Sequence, residues 1–111
     1  MCLHIVVGDL GLRDSLMVLL QLHGFAVRPH ADARSLRQSN LAADDVVIVD
    51  LDLPHGQAAR LIEWCRHNSA TGRLIVLTGL TGRAMRARLG QMGTAAILTK
   101  PFQAADLLAL L

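Results

Sequence analysis

Aromatic side chains are nearly missing from this sequence of 111 residues: Phe25, Phe102 and Trp64 are present, and there is no tyrosine. Stacking platforms for single-stranded nucleic acid therefore have almost no raw material. Lysine is scarcer still. Ten of the eleven basic residues are arginines, so Lys100 stands alone, and Glu63 is the single glutamate among nine acids. A formal charge of +2 is too near neutral to mark a nucleic-acid footprint, and no direct binding of nucleic acid is expected. Cys2 and Cys65 lie far apart and form no CxxC pair, which reads as two reduced thiols in a cytosolic protein rather than a disulfide. Long apolar runs are absent as well. The longest uncharged stretch, 15–27, is interrupted by Gln21, His23 and Gly24, well short of the ~18 apolar residues that a membrane span requires. Asp9 and Asp14 stand where a signal peptide would carry basic residues, and no small-residue cleavage site follows. The expectation is a soluble, cytoplasmic protein with no membrane partner.

What is present is a rich supply of core residues. Hydrophobic residues make up 52% of the chain and charged ones 18%, which excludes a disordered chain and favours central elements covered on both sides. A length of 111 residues bounds the answer to one compact domain, 1–111, able to bury roughly two thirds of its unfolded surface without staples. Five short apolar runs, at 3–7, 26–28, 46–49, 74–77 and 95–98, lack apolar/polar alternation, the mark of parallel strands buried on both faces. Helix candidates lie between them. The segment 13–22 stops before Gly24, a plausible left-handed cap. Asp32 is a possible N-cap for a short helix over 32–39. The segment 57–67 aligns Ala58, Leu61, Ile62 and Cys65 on one stripe, 83–92 aligns Met85, Leu89 and Met92, and 103–111 starts a last, short helix. Five strand–helix alternations predict a (βα)5 doubly wound parallel sheet of strand order 2-1-3-4-5, with its ligand site outside the carboxyl ends of the strands.

The residues that close each run are polar and of different kinds. Run one ends in Gly8-Asp9, run three in Asp50, run four in Thr78-Gly79 and run five in Thr99-Lys100-Pro101. In the expected strand order, Asp9 and Asp50 flank one crevice. Asp9 alone reads equally well as a helix N-cap, Thr78 alone as a β-branched strand end, and Lys100 alone as a loop lysine. Their joint occurrence on one rim, with the chain's single lysine opposite two aspartates, carries the functional reading.

The pattern VVGD…VDLDLPHG…VLTG…ILTKPF resembles the receiver domain of bacterial two-component response regulators, of the chemotaxis-regulator-like superfamily with its flavodoxin-like fold. The resemblance covers the whole chain. It implies a signalling switch, not an enzyme, that accepts a phosphoryl group on Asp50 from a sensor histidine kinase or phosphotransfer protein. It implies Mg²⁺ held by Asp9, Asp50 and the backbone carbonyl of Asp52. Lys100 would then pair with the phosphoryl oxygens, Thr78 would hydrogen-bond to them, and Gly79 would leave room for the group. It also implies a cis peptide at Pro101, and pairing of two copies through the face made by helix 83–92, the fifth strand and the last helix.

Two departures from the family pattern bear on this reading. Gly8 replaces the first of two adjacent acids, so Mg²⁺ binding is expected to be weak. Ile97 occupies the switch position three before the lysine, where the family carries a Tyr or Phe. A threonine-to-aromatic relay is therefore ruled out in its usual form, leaving the loop 79–82 and helix 83–92 to carry any signal. The side chain of Asp52 is expected to be exposed, and His55 to be a surface residue. Arg83, Arg86 and Arg88 read either as a solvated face or as part of the pairing surface. The short last helix leaves room for an output domain, such as a transcription-regulating one, beyond Leu111. The alternative function is a degenerate receiver that acts by protein–protein contact without phosphorylation. A flavin or nucleotide binder of the same fold is disfavoured because Gly8-Asp9-Leu10-Gly11 presents a carboxylate to phosphate.

Overall fold

The computed structural model describes residues 1–67, 73–79, 87, 90 and 96–111. Five strands form one parallel sheet: β1 (Leu3–Val6), β2 (Val27–His30), β3 (Val46–Asp50), β4 (Arg73–Thr78) and β5 (Ala96–Thr99). Their order is β2-β1-β3-β4-β5, as the run pattern predicts. Four helices are described: α1 (Leu10–Leu22), α2 (Ala33–Arg37), α3 (Gln57–His67) and α4 (Ala104–Leu108). The expected helix 83–92, with its three arginines and methionine stripe, lies outside the described residues apart from Ala87 and Gly90. So does the loop after Gly79.

Burial on both faces explains why β1, β3 and β4 show no alternation, whereas β2, an edge strand, departs from that expectation by leaving Arg28 and Pro29 exposed. Leu3, Ile5, Val46, Ile48, Ile75 and Leu77 pack on one side against Leu16 and Leu20 of α1 and Leu107 of α4. Val6, Val47, Val49 and Val76 pack on the other side against Leu36 of α2 and the stripe Ala58, Leu61, Ile62 and Cys65 of α3. The β-branched run of β3 fits a strand flanked on both edges, since its side chains lose little further freedom on a pleated surface.

Local chemistry sets the helix ends. α1 starts at Leu10, three residues earlier than the apolar pattern predicts, because Asp9 Oδ1 accepts the Leu12 amide at 2.8 Å and caps the first turn. Its far end closes where Gly24 adopts φ +84° and donates its amide to Gln21 O at 3.0 Å. Asp32 caps α2 as expected, accepting the Ser35 amide at 2.9 Å. The last helix is short: Gln103 and Asp106 form a capping box at its start, and helix ends at Leu108.

One polar chain runs through the α2 side of the sheet. His4 and His30 are both buried, with rings stacked at a centroid distance of 5.3 Å. His4 Nε2 meets Asp45 Oδ2 at 3.1 Å, His4 Nδ1 meets His30 Nε2 at 3.1 Å, and His30 Nδ1 meets Ser35 Oγ at 2.7 Å. One proton arrangement satisfies every link: His4 donates from Nε2 to the carboxylate, His30 donates from Nε2 to His4 Nδ1, and the Ser35 hydroxyl donates to His30 Nδ1. Burial and the neighbouring His4 hold His30 neutral, with its pKa lowered to about 4. Burial opposes ionisation of Asp45, but hydrogen bonds from the Ala42 and Cys2 amides and from His4 outweigh it and lower its pKa.

Candidate functional site

Three strand ends deliver the chemistry. β3 ends in Asp50, which is 3% exposed, and its side chain faces the sheet's carboxyl edge. The chain after β5 carries Lys100 back across that edge, its amide donating to Thr78 O at 2.8 Å, and the Lys100–Pro101 peptide is cis. Lys100 Nζ donates to Asp50 Oδ1 at 2.9 Å and to Oδ2 at 2.8 Å. Asp50 Oδ1 also accepts the Asp52 amide at 3.0 Å, so the turn after β3 holds the carboxylate in place.

The Asp52 side chain is exposed as expected, at 58%, yet it is not idle: its Oδ2 lies 3.2 Å from Lys100 Nζ. The ammonium therefore bridges two carboxylates. Partial burial works against its charge, but hydrogen bonds and attraction from Asp50 and Asp52 outweigh that cost and raise its pKa above the usual lysine value. Sequence spacing gives no sign of this second partner, because the reach of Lys100 depends on how the chain after β5 crosses the sheet edge.

These groups border a cavity of about 510 Å³ whose lining includes Gly8, Asp9, Asp50, Asp52 and Lys100. Asp32 and Gln57 line it too, and the sequence reading assigned neither of them to the site. Asp32 follows β2 and could have been found by the same strand-end rule that found Asp9 and Asp50. Thr78 is buried at the end of β4, and it and Gly79 are not among the cavity's lining residues. A Cβ at Gly79 would meet nothing within 4 Å among the described residues. His55 is exposed with φ +59°, in the turn Pro54–Gly56 that leads into α3. Ile97 is half-buried in β5 and packs against the α2–α3 side of the core.

The cavity's oxygen donors suit a hard cation such as Mg²⁺. Asp9, Asp50 and Asp52 all line the cavity, so carboxylates are the donors at hand. Asp9 already commits Oδ1 to the α1 cap, which leaves Oδ2. Among the described residues no three His, Cys, Asp or Glu side chains converge as a metal-binding group. A buried carboxylate beside a second acid and one lysine thus sits at the carboxyl edge of a doubly wound sheet of the (βα)5 class, the edge where this class of fold places its ligands.

The comparisons with known proteins agree with that class. Residues 4–111 match the family model described as the response regulator receiver domain, and the chain belongs to that family. It is 27% identical over 107 residues to the transcriptional regulatory protein FixJ of Azorhizobium caulinodans, a match that covers 96% of this chain and 51% of the relative. The chain thus spans about half the length of this curated relative. Among solved structures it is similar to the chemotaxis response regulator CheY4 of Vibrio cholerae, with a TM-score of 0.86 and 25% identity over 98% of this chain and 93% of that one. The non-phosphorylated HemR receiver domain of Leptospira biflexa matches with a TM-score of 0.86 and 26% identity, covering 97% and 88% of the two chains.

Proposed function

We propose that this chain is a phosphorylatable receiver that takes a phosphoryl group on Asp50 from a histidine kinase or phosphotransfer protein. The observation that carries this reading is the Asp50–Lys100 pair, 2.8 Å apart at the mouth of the acidic cavity. Receiver domains are signalling regulators, and their acidic pocket typically binds Mg²⁺. In this chain Asp9, Asp50 and the carbonyl of Asp52 would hold the ion, which when bound neutralises charge on the incoming phosphoryl group. Asp50 is the nucleophile, and its turn amide from Asp52 orients it. Lys100 holds the carboxylate before transfer and supplies a positive charge for the phosphoryl oxygens after it. Thr78, at the end of the neighbouring strand, provides a hydroxyl, and Gly79 follows it with open space.

Two further assignments extend this reading. Gly8 leaves the metal with one acid fewer, so the ion is bound weakly. By analogy with FixJ, a transcriptional regulator about twice the length of this chain, the switch would act on an output domain, and pairing of two copies would use the face that includes β5 and α4. The site would work in the cytoplasm, where histidine kinases present their phosphoryl groups; no described helix is long and apolar enough to cross a membrane.

A degenerate receiver is the second reading, and two residues favour it: Gly8 and Ile97 stand where the family carries an acid and an aromatic. The two readings part on one assay. With acetyl phosphate or beryllofluoride and millimolar-range Mg²⁺, the phosphorylatable receiver gains mass or shifts its amide spectrum, and Asp50→Asn abolishes the change. An unchanged mass and spectrum in the parent protein would favour the degenerate reading.

A further inference from the structure

A second, smaller cavity of about 240 Å³ opens between α2 and α3, and three arginines line it: Arg34 and Arg37 on α2, and Arg60 on α3. Asp32 and Gln57 line it too. None of the three arginines pairs with a carboxylate among the described residues; Glu63, the acid of α3, is held by Arg66 and His67 instead. Asp32 commits Oδ1 to the α2 cap. The cavity therefore gathers three positive groups against one carboxylate.

Helix electrostatics explain two of these arginines but not the third. Arg34 and Arg37 stand in the last turn of α2, where cations complement the exposed carbonyls. Arg60 stands in the first turn of α3, the end of the dipole where a cation is disfavoured. Its Nη2 donates to His55 O at 2.7 Å, which anchors one edge of the guanidinium to the turn before α3. A dianion bound among the three side chains would accept charge-assisted hydrogen bonds, the contacts that guanidinium groups offer oxyanions.

Size narrows the ligand. At about 240 Å³ the cavity falls below the roughly 300–1,000 Å³ of sites that enclose drug-sized ligands, so it takes one phosphate or diphosphate group rather than a whole nucleoside. We propose that Arg34, Arg37 and Arg60 form an anion site for the phosphate or diphosphate group of a small phosphorylated ligand. The site shares two walls, Asp32 and Gln57, with the acidic cavity. Gln57 Oε1 also accepts the Ala33 amide at 3.4 Å, tying the starts of α2 and α3 together. Occupancy on the arginine side thus bears on the wall of the phosphoacceptor cavity. The binding proposal itself stands whether or not Asp50 is phosphorylated.

Pyrophosphate titrated into the metal-free chain at physiological ionic strength, followed by amide NMR, tests this. Saturable shifts centred on residues 33–37 and 57–60 are expected. Arg34→Gln combined with Arg60→Gln should weaken binding about tenfold or more, and Arg66→Gln should leave it within about twofold. An equal loss in Arg66→Gln would reduce the effect to general surface charge. Shifts that vanish in Lys100→Ala would place the anion in the acidic cavity, and unsaturable shifts would mean no site. Each of these three results overturns the proposal.

Discussion

Lys100 and Asp50 are joined by two hydrogen bonds of 2.9 and 2.8 Å although fifty residues separate them in the chain. The pairing exists because β3 and β5 flank β4 in one parallel sheet and end at the same edge. The ammonium is thereby the positive group that contacts Asp50 among the described residues. Lys100→Ala should lower the rate of Asp50 modification by acetyl phosphate by about tenfold or more, the loss of one positioned charge in a site where charge stabilisation dominates. Intact-mass time courses on both proteins measure it. An unchanged rate would mean that the lysine does not serve the reaction.

Asp52 is the less obvious partner of the same ammonium, at 3.2 Å. Removing its charge in Asp52→Asn takes away one of the two acids that raise the Lys100 pKa. The lysine should then titrate at lower pH than in the parent, and its Nζ should lean wholly on Asp50. Side-chain amine NMR followed through a pH titration reads both effects; a lysine pKa that stays put would show that Asp52 contributes nothing to its charge.

Gly8 leaves measurable room. A Cβ built there meets only Leu53 Cδ2, at 3.6 Å, an ordinary contact. Gly8→Asp should therefore fold and tighten Mg²⁺ binding by about fivefold, since an added carboxylate near the ion contributes on the order of 1 kcal/mol in a water-exposed site. In metal-free buffer the same change should lower stability slightly, because it adds a negative charge beside Asp9. Calorimetric titration with Mg²⁺ checks the first effect and urea unfolding the second. No change in affinity would mean that the ion is not held beside Asp9.

Much of this architecture is legible in the chain itself because burial on both faces leaves a signature that solvent cannot blur. VVIVD reads as a central strand before any coordinates exist, and the stripe Ala58, Leu61, Ile62, Cys65 is buried as its spacing predicts. The strand-end rule also finds Asp9, Asp50 and Lys100. It does not reach contacts that depend on side-chain length or on register between strands. The Asp52–Lys100 contact belongs to the first kind. The His4–His30–Asp45 chain belongs to the second: nothing in the spacing of these residues says that β1 and β2 align His4 beside Arg28 and bring the His30 ring onto the His4 ring. The arginine cavity stayed hidden because β3 separates α2 from α3 in sequence, and only the fold brings the two helices into contact.

That histidine chain gives the fold a defined acid limit. His30 has its pKa lowered to about 4 in the folded state against an ordinary 6.5. Between these values the unfolded chain binds a proton that the native state refuses, so stability is complete above pH 6.5 and is lost as pH falls toward 4. The expected loss by pH 4 is about 3 kcal/mol from this residue. Asp45 acts in the same direction further down, because a carboxylate with a lowered pKa gives up its contribution as pH falls through its folded value. Urea unfolding at pH 7 and at steps down to pH 4 should show the decline. His30→Gln, whose side-chain amide can still donate toward His4 Nδ1, should flatten the profile between pH 6.5 and 4 even if it is less stable at pH 7. A variant profile as steep as the parent's would assign the acid sensitivity to other groups.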